Sequence, residues 1–147
     1  MPWDLLFSVT NAIALIGWLL LWFAPRTPLV HSAVMYLGIG LLCLIYIVCF
    51  AAVMTGSGGA TGGGGFTYDI PGIRALFASD GGIVVGWTHY LAFDLFVGLW
   101  IAKDADSKGF SRIVQFPFLF FTLMAGPVGL FGWLIVRERK ARAAAGR

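Results

Sequence analysis

The stretch GWTHYLAFDLFVGLWIAKDA, residues 86–105, sets His89 and Asp94 in a run that is otherwise apolar enough for lipid. A carboxyl and an imidazole are the common partners of general acid–base chemistry. An ionised aspartate at the middle of a bilayer costs about 2.5–3.5 kcal/mol on insertion scales. Asp94 is therefore expected to be protonated, paired, or turned toward a wet cavity, and in each case to point into the protein. On a helix Tyr90 and Gly98 lie one turn either side of Asp94, and Trp87 and Ile101 extend that stripe. His89 is five residues from Asp94, about 140° around and ~7.5 Å along the axis. It is too far around to bond Asp94 directly, but it is placed to line the same cavity from the opposite flank. Asn11, in the first apolar run, is the candidate partner from another helix. Thr10, Tyr36, Tyr46, Gln115 and Thr122 are further polar side chains in apolar surroundings.

The elements that hold these residues follow from composition. The chain has 147 residues, 59% hydrophobic and 12% charged, with a mean hydropathy of +0.87. Soluble domains carry roughly 25% charged residues, so the expectation is an all-α polytopic membrane protein. Crossing the hydrocarbon layer takes roughly 17–25 helical residues. Four runs qualify, near Leu5–Phe23, Ser32–Met54, Ile83–Ala102 and Ile113–Val136. One four-helix domain over 1–136 and a basic tail over 137–147 is the predicted organisation. The first run lacks a basic stretch before it and reads as a retained span rather than a cleaved leader. APRTP ends it, because proline cannot continue the ladder.

The connection after the second span divides in two. Residues 55–65 are glycine-rich, which predicts a flexible loop, and no GK[ST] follows to make it a phosphate loop. In IPGIRALFASD the spacing of Ile73, Leu76 and Phe77 predicts a short interfacial helix, placed to act as a lid over the third span. In the fourth span Gly126, Gly129 and Gly132 form a strip for close helix approach. Pro127 frees a carbonyl one turn earlier and predicts a kink. Four full spans put both termini on one side. The cations then divide 6 against 4, Arg74 and the five of RERKARAAAGR against Arg26, Lys103, Lys108 and Arg112. This favours cytoplasmic termini. A basic run that directly follows an apolar segment is a membrane flank, so no nucleic-acid role is expected. Cys43 and Cys49 are roughly 240° apart on a helix and read as buried hydrophobes. His31 and His89 fall on different spans with no HxxxH or ExxH pair, so neither a metal site nor a cofactor is expected.

The 86–105 stretch, with its H-Y-L-x-x-D-L-F-x-G pattern, resembles the signature of the abscisic-acid-deficient-four-like family, known in plants for its part in neoxanthin formation. LFSVTNAIALIGWLLLWFAPR, GIRALFASDGGIVVGW and LFFTLMAGPVGLFGWLI agree with that family as well. The resemblance spans most of the chain except the tail and GSGGATGGGG, which looks like an insertion. Because the apolar spans begin at once, no plastid transit peptide is expected. The chain looks like a bacterial member set in the inner membrane.

The resemblance implies a four-helix membrane protein of carotenoid (xanthophyll) metabolism. The plant reaction opens an epoxide to an allenic alcohol, an isomerisation that needs no redox cofactor. It requires an acid for the epoxide oxygen and a base for a proton on the adjacent polyene carbon. Asp94 and His89 fit those two roles, in either order. Asn11, Tyr90, Trp87 and Gly98 would line the substrate site. The partners are then membrane lipid, a hydrophobic carotenoid or similar lipid-like substrate, and a second copy of the chain in a homo-oligomer. Two other readings stay open at this point: a non-catalytic carotenoid- or lipid-binding protein, and a small proton-coupled carrier that uses Asp94.

Overall fold

The computed structural model describes residues 1–56 and 67–145, with side chains through residue 138. The described chain is helical: α1 Trp3–Phe23, α2 Pro28–Ala33, a π-helix Val34–Gly40, α3 Leu41–Met54, α4 Ile70–Phe77, α5 Asp80–Ser107 and α6 Arg112–Ala145. Four stretches are long and apolar enough to cross a membrane: Trp3–Phe23, Pro28–Met54, Asp80–Ser107 and Arg112–Glu138. The all-α expectation stands, including the short helix before the third span. The glycine-rich loop expected at 55–65 lies outside the described residues from 57 onward.

Local chemistry sets the boundaries. Pro25 stops α1. Thr27 caps the next helix by accepting the Val30 N–H at 3.3 Å, with Pro28 at its first position. Asp69 caps α4, accepting from the Gly72 N–H and the Thr67 hydroxyl at 2.8 Å each. The Gly72 bond first, and then the Thr67 bond, holds the Asp69 carboxyl below its ordinary range. Ser79 caps α5 through the Gly82 N–H at 3.1 Å. Ile73 and Leu76 of α4 are half-buried, and Phe77 lies over Gly86, where a Cβ would meet its ring.

α5 is the central element. Fourteen of its residues are buried, and α1, α3 and α6 all pack on it. In lipid no hydrophobic effect draws helices together, so close packing and polar bonds carry the association. α5 also runs five residues beyond the predicted Ala102. Its last turns stay helical because their charges have partners inside the bundle: Asp106 receives Arg26 at 3.0 Å and Gln115 at 2.8 Å.

The fourth long helix is not straight. Ala125 leaves helical geometry (φ −159°, ψ 77°), and the chain doubles back there. On a straight helix Phe118 and Trp133 would lie about 22 Å apart; their ring centroids are 5.6 Å apart. Trp133 also meets Phe110 at 5.0 Å, and its indole N–H donates to Asp104 at 3.0 Å. Arg137 reaches the same carboxylate, with Nε at 2.8 Å. Residues 112–124 and 126–145 therefore form two antiparallel half-helices whose apex lies beside Asp94 in mid-bundle. The predicted kink is present, but the glycine strip serves a different neighbour. Gly129 packs on the Phe118 carbonyl and Thr122 of its own first half, and a Cβ on Gly132 would stand 3.2 Å from the Phe118 ring.

The hairpin corrects the expected topology. The reading that both termini share one side rested on a straight fourth span. Arg137 instead lies at the end of the bundle that holds Arg26, Lys108 and Asp104. Trp3 packs with Val53, Val84 and Val85 at the other end.

Candidate functional site

Asp94 is buried at 8% exposure, as its depth and phase required. Its carboxyl packs on Gly126 so closely that a Cβ there would collide with Oδ1. Gly126 and Pro127 open the second half-helix, whose N-terminus carries unpaired N–H groups and a partial positive charge. Asp94 Oδ2 is enclosed and has no hydrogen-bond partner among the described residues.

Tyr90, one turn before Asp94, is half-buried and donates its hydroxyl to the Leu123 carbonyl at 3.0 Å. Leu123 stands four residues before Pro127, so its carbonyl is the one proline leaves without an N–H. The tyrosine fills the gap that the kink opens. Trp87 stacks near Tyr90 at 5.3 Å and donates its indole N–H to Asn11 Oδ1 at 3.0 Å. Asn11 in turn donates to the Phe7 carbonyl at 2.7 Å, which fixes its amide. Phe7 lies 5.8 Å from Trp87. Asn11, Trp87 and Tyr90 thus form a polar-tipped aromatic patch between α1 and α5, below the hairpin apex, with Trp87 exposed at 40%.

The structure does not bring the other two predicted residues to this patch. Gly98 is buried against Trp18, whose ring occupies the space of a Cβ, so it serves the α1–α5 contact. His89 is exposed on the α3 side, 4.6 Å from Phe93 and 5.6 Å from Tyr46. His89 and Asp94 open on different flanks of α5 and do not face one cavity.

A second polar centre at the other end of α5 was not singled out from the sequence. Asp104, with its side chain 11% exposed, accepts from Lys108 at 2.6 Å, Trp133 at 3.0 Å and Arg137 at 2.8 and 3.0 Å. Arg26 bonds Asp106 and the Ala102 and Leu21 carbonyls, at 3.0, 3.1 and 3.2 Å. Burial lowers the Arg26 pKa, and Asp106 raises it in part. In KDADSK only the Lys108 pairing is legible, as an i,i+4 contact; the cation thirty-three residues away needs the hairpin.

No curated protein and no solved structure matches this chain. The ABA DEFICIENT 4-like family matches it over residues 5–133. That range takes in Asn11, Trp87, Tyr90 and Asp94 together with the hairpin apex. The chain, a multi-pass membrane protein by its four long apolar helices, belongs to the ABA DEFICIENT 4-like family.

Proposed function

We propose that this protein acts on an oxygenated carotenoid inside the bilayer, with the Asp94 carboxyl as the acid. The observation that carries this reading is the enclosed, unpartnered Asp94 Oδ2 one helical turn from Tyr90, beside a lipid-facing patch. The aromatic faces of Phe7 and Trp87 suit a polyene, and Asn11 and Tyr90 suit its hydroxylated ring. Epoxide opening to an allenic alcohol transfers one proton to oxygen and removes one from the adjacent carbon. Because His89 opens on the α3 flank, one ring cannot touch both groups. A single carboxyl can serve both steps: Asp94 gives its proton to the epoxide oxygen, and the resulting carboxylate takes the proton from carbon.

Expression in a host that makes epoxy- and hydroxy-carotenoids, followed by pigment chromatography, tests the reading. Asp94→Asn is expected to lower product by 10²–10⁴-fold, the usual contribution of a positioned general acid, at unchanged membrane levels. His89→Phe is expected to keep most of it. Wild-type protein that leaves every pigment unchanged would sink the catalytic reading. Pigment that co-purifies unaltered would support a binding protein instead, in which Asp94 serves only to steady the half-helix start at Gly126.

The orientation we propose follows from the hairpin. Of the ten cations, Arg26, Lys103, Lys108, Arg112 and Arg137 fall at one end, and Arg139, Lys140, Arg142 and Arg147 follow Arg137 with no apolar run between. Only Arg74 belongs to the other end, so the division becomes 9 against 1. The positive-inside rule puts the Asp104 end in the cytoplasm. In a bacterial host, green fluorescent protein fused after residue 147 is expected to fluoresce. Alkaline phosphatase joined after Gly56 is expected to be active. Both reporters reading the same side would refute the re-entrant hairpin.

A further inference from the structure

At the basic end of α5 a groove of about 320 Å³ runs down the helix between Trp100 and Met35 of the π-helix. Its floor is apolar, from Phe96 and Leu99 to Trp100, and its rim is polar, with Lys103, Ser107 and the Asp104 carboxylate, which is itself bonded by Arg137 and Lys108. These residues follow one α5 face at spacings of three or four. From Phe96 to Ser107 the strip is ~16 Å long, about half of a ~30 Å hydrocarbon layer. The groove therefore has the length and polarity gradient of a single leaflet.

The charges at its mouth do not cancel. Arg137 and Lys108 both bond Asp104, and Glu138 stands as a second carboxylate beside Arg137. Lys103 is exposed and makes no ion pair among the described residues. Arg26 is neutralised by Asp106. Glu138 beside Arg137 offsets the second cation, so the rim keeps one positive charge in excess, that of Lys103. Arg137 also lies over the Trp100 ring at 5.4 Å, which holds both side chains at the mouth. The apolar floor and the cationic rim together need an amphiphile with one negative head.

We propose that this groove is a binding site for an anionic phospholipid, with its phosphate at Lys103 and one acyl chain laid along Trp100 and Phe96. The site is separate from the Asn11–Trp87–Tyr90 patch and does not depend on the carotenoid reading.

The test is native mass spectrometry of the full chain in detergent, titrated with phosphatidylglycerol and with phosphatidylcholine of the same chains. Phosphatidylglycerol is expected to form a one-lipid adduct at the lower concentration. Lys103→Gln is expected to weaken that adduct about five-fold, the effect of one lysine at an anionic lipid surface. Arg74→Gln, which removes a cation at the opposite end, is expected to leave it unchanged. Lys103 is exposed, so its substitution spares the fold, and elution as a single species checks this. Equal binding of the two lipids would overturn the proposal. So would an equal loss in the Arg74→Gln protein, or full retention in Lys103→Gln.

Discussion

Gly129→Val is expected to leave little folded protein after detergent extraction, a loss of at least about 3 kcal/mol, at the upper end of overpacking costs. A Cβ on Gly129 would collide with the Thr122 N–H nitrogen and the Phe118 carbonyl, which are backbone atoms and cannot swing aside. The two half-helices would have to separate, and with them the Phe118–Trp133 contact. The neighbouring glycines set the scale. At Gly126 the obstacle is the Asp94 carboxyl, a short side chain, so Gly126→Ala should cost less, and Gly126→Ala combined with Asp94→Ala should recover part of the loss. At Gly132 the obstacle is a ring edge 3.2 Å away, which needs only a few tenths of an ångström. Size-exclusion profiles after graded heating should rank the variants 129, 126, 132. A Gly129→Val protein as heat-resistant as wild type would mean that the halves do not pack on one another.

Asp104→Ala should be the most damaging single loss of a charge. Three donors, Lys108, Trp133 and Arg137, converge on that carboxylate. Without it the Trp133 indole N–H and the two cations lose this shared acceptor near the membrane surface. Removing one partner of a buried ion pair costs about 3–5 kcal/mol. This carboxylate is only half-buried and Lys108 and Arg137 are each 28% exposed, so solvent screening keeps the loss below that buried-pair range. The midpoint of thermal unfolding in detergent measures the effect. The informative control is the cycle with Arg137→Ala. If the two residues meet, the double variant should lose clearly less than the sum of the singles. Strict additivity would place Arg137 away from Asp104 and would argue for a straight fourth span.

Much of the bundle could be read from the chain because a bilayer demands long apolar runs, and the four runs are plain. The burial of Asp94 followed from its depth and helical phase, and its neighbour Tyr90 from the same phase. The hairpin was hidden for a physical reason. The largely apolar run Ile113–Val136 satisfies one full crossing and two half-crossings equally well, and the apex needs no polar residue, only the backbone break at Ala125 before Gly126 and Pro127. The glycine strip signalled close approach without saying to what. The near-even division of cations under four full spans gave orientation little weight; the fold-back of α6 is what supports the proposed 9 against 1. The Asp104 centre was hidden behind the same fold-back, since its strongest partner, Arg137, belongs on the far side of any straight helix. The shared cavity expected for His89 and Asp94 failed on angle: about 140° of separation places two side chains on different neighbours once α3 and α6 both pack on α5.

The turn at Ala125 also gives the molecule a shape. Among the described residues five helical segments lie in the half of the bundle on the Asp104 side: α1, the helix of α2 with the π-helix, α5 and the two halves of α6. On the Trp3 side, among the described residues, lie α1, α3 and α5, with the short α4 against the start of α5. Each helix is about 10 Å across, so the two cross-sections differ by roughly 160 Å². The described residues thus taper, broad at the basic end and narrow at the other. They displace unequal lipid from the two leaflets and so fit best where the membrane already bends toward their narrow end.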